Sequence, residues 1–353
     1  MRKSTWTITL RTIVLSIALG GASGVLATAL TTNYLSDYSI QLGELTAPLR
    51  LAQERPRVFP QSYQESVAEV SAKVVPGLVQ VFEKKADQSF HSSAAVGQGA
   101  VLTSDGWLLS VFDKPAIANQ LQVVIGSKIY DVEEVVPDSL TRITFIKILA
   151  SNLPVTAFGQ ALDSQLGDQV FIVPSRQTLQ SSAITSFNED ELWQKVVLAD
   201  SVTTNSLGAP VANLAGELIG IIESSDQNIE VIPIELILPA FSSLLRSGQI
   251  ERAYLGVTAI NLSTSLGLDS ELTRSHKQGA LIADQKSIQA NSPAEKAELL
   301  PGDIILSVDG QIINDHHTLD EYIMIRKPED TVVLLVDRAG EQMEFSVTLG
   351  LDN

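Results

Sequence analysis

The 353-residue chain has no cysteine, so disulfides, cysteine-bound metal sites and thiol nucleophiles are all excluded. Its four histidines, His91, His276, His316 and His317, include no pair at the H-x-x-x-H or H-E-x-x-H spacing that sets two imidazoles on one helix face. No metal and no cofactor is therefore expected. Basic residues are scarce, with 24 Lys and Arg against 41 Asp and Glu and a net charge of −17. A phosphate backbone needs a basic face, so nucleic acid is excluded as a partner.

One region lacks charge altogether. Residues 12–32 form an uncharged run of 21 residues behind Arg2, Lys3 and Arg11, which at helical rise just spans a hydrocarbon core. Because those three cations have no acid beside them in residues 1–32, the rest of the chain carries −20. Positive charge ahead of the run predicts a cytoplasmic N-terminus and extracytoplasmic domains, periplasmic or at the cell surface. Ala27, Thr28 and Ala29 offer the small-x-small pattern of a cleaved secretory signal, the competing reading; either one exports the same domains.

The chain has 44% apolar content and enough length for two or three domains. Residues 33–65, with Pro48, Pro56 and Pro60 and no sustained periodicity, read as a spacer. The pattern changes at Ser66: "ESVAEVSAKVVPGLVQVFEK", residues 65–84, predicts a short helix stopped at Pro76-Gly77 and then a strand. Apolar runs then alternate with turns: "GQGAVLTSDGWLLSVF", "LQVVIG", "ITFIKIL", "DQVFIVP", "KVVLAD" and "ELIGIIES". Short strands at such spacing predict an all-β barrel or sandwich. "IPIELILPAFSSLLRSGQI" reads as a helical connector ending near Gly248, and the strands and short helices after it as an α+β module of about 100 residues.

In this order the segments resemble the HtrA/Deg family of membrane-anchored serine proteases, in which a trypsin-like double β-barrel precedes a PDZ domain. "VSAKVVPGLVQV", "GQGAVLTSDGWLLS", "IPIELI" and "RAYLGV" carry the resemblance. It implies an anchor or signal over 1–32, a spacer over 33–65, a protease-fold domain over 66–248 and a PDZ domain over 249–353. The fold class it implies is mainly β.

The resemblance also shows what is missing. Asp113 stands where the family has its histidine, Arg142 where it has its aspartate, and Leu207, aligned back from Pro210 in "TTNSLGAP", where it has its serine. A serine hydroxyl needs a base to deprotonate it and a carboxylate to orient that base. Asp113 is a far weaker base than imidazole, Arg142 would repel an imidazolium, and Leu207 has nothing to ionise. Asn205 replaces the glycine of the anion hole. The expectation is a degenerate, inactive site. The alternative is an active serine endopeptidase rearranged around Ser206, with Lys195 as its base.

The "YLGV" of residues 254–257 matches the family's carboxylate-binding loop. Successive amides around a glycine make an anion nest, and the strand after it offers an edge to an incoming peptide. Tyr254, Leu255, Gly256, Val257, Thr258 and Ile260 are the candidate peptide-binding residues, with Ile323 of "TLDEYIMI" as the opposite wall. The expected function is peptide or protein C-terminus binding by an HtrA-like pseudoprotease, in protein quality control or as a regulator of an active homologue; a structural assembly subunit is the second alternative. The resemblance further implies a homo-oligomer, a trimer, with a membrane link through the N-terminal segment.

Overall fold

Apolar side chains alternating along short strands can bury both faces only where each strand sits between two cores, and the chain builds two closed barrels packed side by side. The computed structural model describes residues 60–85, 90–91, 94–189, 194–199, 206–224 and 228–352. The expected anchor at 12–32 lies outside these residues. Among the described residues no helix is long and apolar enough to cross a membrane.

The first helix, α1 (Tyr63–Lys73), starts three residues inside the segment read as spacer. Ser62 caps it by accepting from the Glu65 amide at 3.2 Å, and Glu65 reaches back to the Gln61 amide at 2.7 Å. Its Val70, and Val74 that caps its end, are buried against Phe171 and Val173 of the second barrel.

The first barrel comprises β1 (Leu78–Glu83), β2 (Gly97–Val101), β3 (Trp107–Phe112), β4 (Leu121–Ile125), β5 (Lys128–Pro137) and β6 (Ile143–Ile148), in closed order β1-β2-β3-β6-β5-β4. The second comprises β7 (Gln169–Ser175), β8 (Thr178–Glu189), β9 (Gln194–Leu198), β10 (Pro210–Ala212), β11 (Leu218–Ser224) and β12 (Ile229–Pro233), in closed order β10-β11-β12-β9-β8-β7. Alternation along β3, and on β11 alternation shifted by the β-bulge in its pairing with β10, shows how they meet. On β3, Leu108 fills the first barrel while Leu109 and Val111 face the core between the barrels. On β11, Ile219 and Ile222 fill the second barrel while Leu218 and Ile221 face that shared core. Helix α2 (Ile234–Ser247) closes it with Phe241 and Leu244.

The terminal module has β13 (Arg252–Tyr254) paired with β20 (Gly350–Asp352), and a sheet of β14 (Ile260–Asn261), β15 (Ala280–Leu281), β16 (Ile304–Val308), β18 (Thr331–Arg338) and β19 (Glu341–Thr348), with β17 (Gln311–Ile312) on β16. Its helices are α3 (Ser270–Thr273), α4 (Pro293–Lys296) and α5 (Leu319–Met324). It is joined to the barrels by a buried ion pair. Arg252 Nη2 contacts Asp138 Oδ2, and Arg252 Nη1 donates to the Leu236 carbonyl at 3.3 Å. Met324 of α5 packs on Leu236 of α2 beside it.

Candidate functional site

The turn 206–209, which leads into β10, is held in a tight backbone frame. The Gly208 amide donates to Ile222 O at 2.8 Å, Ile222 N to Ala209 O at 3.0 Å, and Ala209 N to Ser206 O at 2.8 Å. Gly208 has φ +80°, and a Cβ there would lie 2.1 Å from the Gln98 carbonyl oxygen on β2. Only glycine lets this turn of the second barrel rest against the first.

Its neighbours are thereby fixed. Leu207 is 6% exposed and packs in the inter-barrel core with Val111, Phe145 and Ile221, where burying a leucine stabilises by about 1.5–3 kcal/mol. Ser206 is 0% exposed, so an incoming peptide has no access to its hydroxyl. Asn205 lies outside the described residues.

Asp113 follows β3 and Arg142 precedes β6. Those strands are neighbours, with Val111 opposite Ile143, so the two side chains meet: Arg142 Nη2 is 3.1 Å from Asp113 Oδ1. Arg142 Nη1 also donates to the Glu223 carbonyl of β11 at 3.3 Å. The guanidinium therefore crosses from one barrel to the other. The pair is exposed, so its own contribution to stability is under about 1 kcal/mol.

Next to this crossing, Lys195 Nζ lies 3.1 Å from Glu223 Oε2 and 3.4 Å from Glu230 Oε2. Paired with two carboxylates, Lys195 belongs to a largely buried charge network. Between the barrels, then, an aspartate is tied to an arginine, a leucine lies in a core and a lysine stands between acids.

The terminal module is built differently. Thr258 N donates to Ser287 O at 2.8 Å and Gln289 N to Gly256 O at 2.9 Å, bridging Val257 to Ile288; further on, Leu262 N donates to Gly279 O at 2.9 Å. The strand expected after the YLGV loop is thus an isolated bridge followed by β14, with alternate backbone groups paired on the inner side. Val257 and Ala259 face the other way. Among the described residues no hydrogen bond takes the amides of Leu255, Gly256, Val257 or Ala259. Gly256 has φ +81°, and a Cβ there would lie 2.2 Å from Ser292 Cβ. That conformation turns successive amides toward one point.

Beside these amides Leu255, Val257 and Ala259 share one apolar cluster with Ile323 of α5. Helix α5 is fixed by a capping box, Glu321 N to Thr318 Oγ1 at 3.2 Å and Thr318 N to Glu321 Oε2 at 3.0 Å. Tyr254 lies half-buried against Gly256. Two expected residues fall elsewhere: Ile260 joins Leu262, Leu281 and Ile304 on the opposite side, and Thr258 is exposed. Ala259, absent from the residues expected from sequence, stands in the wall instead. Counting in twos from Val257 would have found it.

Residues 253–349 match the PDZ domain family. Over 282 residues the chain is 27% identical to a probable periplasmic serine endoprotease DegP-like of Halomonas elongata, covering 72% of this chain and 56% of that one. It is 25% identical over 276 residues to the serine endoprotease DegS of Haemophilus influenzae, covering 72% and 76%. The chain spans about half the length of the DegP-like relatives it matches. Among solved structures, the HtrA-type protease AlgW with tripeptide superimposes with a TM-score of 0.58 at 23% identity, covering 83% of this chain and 98% of that one. A serine endoprotease from Yersinia pestis gives 0.50 at 22% identity, covering 83% and 99%. Two closed six-stranded barrels followed by a PDZ domain, together with these relatives, give the chain the architecture of the HtrA family with a PDZ domain.

Proposed function

We propose that this protein is an extracytoplasmic HtrA-like pseudoprotease that binds the C-termini of peptides or proteins through its PDZ domain. Its barrels serve as a scaffold. The binding half of the reading is carried by the run of amides at 255–257, which have no acceptor among the described residues and lie against an apolar wall. A terminal carboxylate supplies the acceptor, and the open groups of Val257 and Ala259 then pair with the peptide as an added strand. The charged and apolar occupants of the cleft, Asp113, Arg142 and Leu207, support the inactive half.

The extracytoplasmic setting rests on the uncharged run at 12–32 and on relatives named as periplasmic endoproteases. An N-terminal anchor, a homotrimer and service in protein quality control or beside an active homologue complete the reading. The test pairs two assays on the full chain: labelling by a serine-directed fluorophosphonate, and binding of a library of free C-terminal peptides. No label with selective binding supports the proposal. Labelling that disappears in Ser206→Ala overturns it in favour of a rearranged protease, and a library without binders makes the chain a structural subunit.

A further inference from the structure

Glu235, the second residue of α2, sits where the barrels meet the PDZ domain. Its Oε1 accepts the amides of Ala161 at 2.6 Å and Leu162 at 3.1 Å. Its Oε2 is buried with no hydrogen-bond partner among the described residues. The next residue of that loop, Asp163, is within electrostatic reach of His317 and Tyr322 on the PDZ side. Leu236, which follows Glu235, gives its carbonyl to Arg252 and packs on Met324 of α5. His316 of the same PDZ loop rests edge-on against Phe187 of β8, with ring centroids 5.4 Å apart. One carboxyl thus ties the loop 161–163 to the helix that receives the PDZ domain.

We propose that Glu235 is a pH-responsive latch of this joint, holding the loop 161–163 against the PDZ domain while protonated and loosening both once ionised. Burial pushes its carboxyl up to about 7; its own amide and those of Leu162 and Ala161 pull the other way, and the charge of Asp163 adds a further upward push. A carboxyl whose folded pKa is raised favours the closed form in acid, and that preference is lost as pH rises from the ordinary value of 4.5 toward about 7. Above neutrality two like charges, Glu235 and Asp163, share a site in which Oε2 has no donor among the described residues.

From the PDZ side His317 and Tyr322 feel the charge of Asp163, with His316 and Asp315 acting on His317 and Glu321 on Tyr322, and the buried pair beside Leu236 is Arg252 with Asp138. Burial lowers the His317 pKa and Asp163 opposes it. Because burial outweighs Asp163, protonation of His317 weighs against the closed form, so this imidazole opposes the latch in acid. The joint is independent of whether the cleft is inert or the groove is occupied.

Amide hydrogen exchange on the full chain, corrected for intrinsic rates, tests it between pH 4.5 and 8.5. Protection of residues 161–163 and 314–322 is expected to fall together by up to about tenfold per pH unit between 4.5 and about 7 and to level off above neutrality. In Glu235→Gln, whose amide oxygen still accepts both loop amides, the fall in protection with rising pH disappears. In Asp163→Asn the transition moves to lower pH, because the like charge is gone. A wild-type profile without pH dependence, an unchanged dependence in Glu235→Gln, an unmoved transition in Asp163→Asn, or a loss confined to 161–163 would each overturn the latch.

Discussion

The cleft between the barrels and the groove of the PDZ domain are both sites by position, yet they treat their polar groups in opposite ways. Between the barrels the named polar groups find partners inside the protein: the Gly208 amide donates to Ile222, Arg142 reaches Asp113 and the Glu223 carbonyl, and Lys195 forms ion pairs with Glu223 and Glu230. In the groove, four amides of residues 255–259 have no acceptor among the described residues while their neighbours are paired. Unpaired backbone donors cost free energy unless water or a ligand answers them. On the proposed reading, the region that keeps such groups open receives a partner, and the one that closes them has a structural task.

The comparison breaks most readily at Leu207. If the leucine is structural, Leu207→Ser destabilises the barrels by about 2–5 kcal/mol in a denaturant titration, since it empties core volume and buries a hydroxyl, and it yields no hydrolysis. Hydrolysis by this single variant would mean the cleft is still a site. In the groove, amidating a binding peptide removes the charge the nest receives, and a loss of about a hundredfold in affinity is expected from a micromolar starting point. Equal affinity for the two forms would remove the carboxylate from the mechanism.

Smaller effects sharpen the contrast. Methylating the amide of a peptide residue that pairs with Val257 or Ala259 deletes one strand bond and is expected to cost up to about tenfold in titration calorimetry. No cost would place the peptide somewhere other than this edge. Arg142→Gln, although it removes a cross-barrel contact, is expected to change stability by less than about 1 kcal/mol in a denaturant titration, since the pair is exposed. A larger loss would make that crossing a main support of the cleft.

How much of the fold and of the two sites is legible in the sequence depends on what each residue answers to. Strands that bury both faces, such as β3, β6 and β11, read directly from apolar runs. Strand β5 does not, because its "KIYDVEEVVP" lies on the outside with Val132 as its one buried residue. Nor does β8, whose "TLQSSAITSFNE" is polar and is held by pairing on both sides. Tertiary pairing outweighs local pattern in both. The start of α1 is marked by Ser62 and Glu65, a capping signal hidden in a segment without periodicity. In the groove the four residues of "YLGV" are enough to find the nest, while the wall requires the alternation that brings Ala259 in and turns Ile260 away. Glu235 carries no signal, because a glutamate beginning a helix is ordinary and its burial comes from a loop some seventy residues earlier.

The most direct test of the account monitors binding and cleavage together. The full chain is incubated with one hydrophobic peptide, fluorescent at its N-terminus, in free and amidated forms, while anisotropy reports binding and mass spectrometry reports cleavage. The account predicts that the free form binds, the amidated form does not, and both are recovered intact. Cleavage of either form, or equal binding of the two, would contradict it.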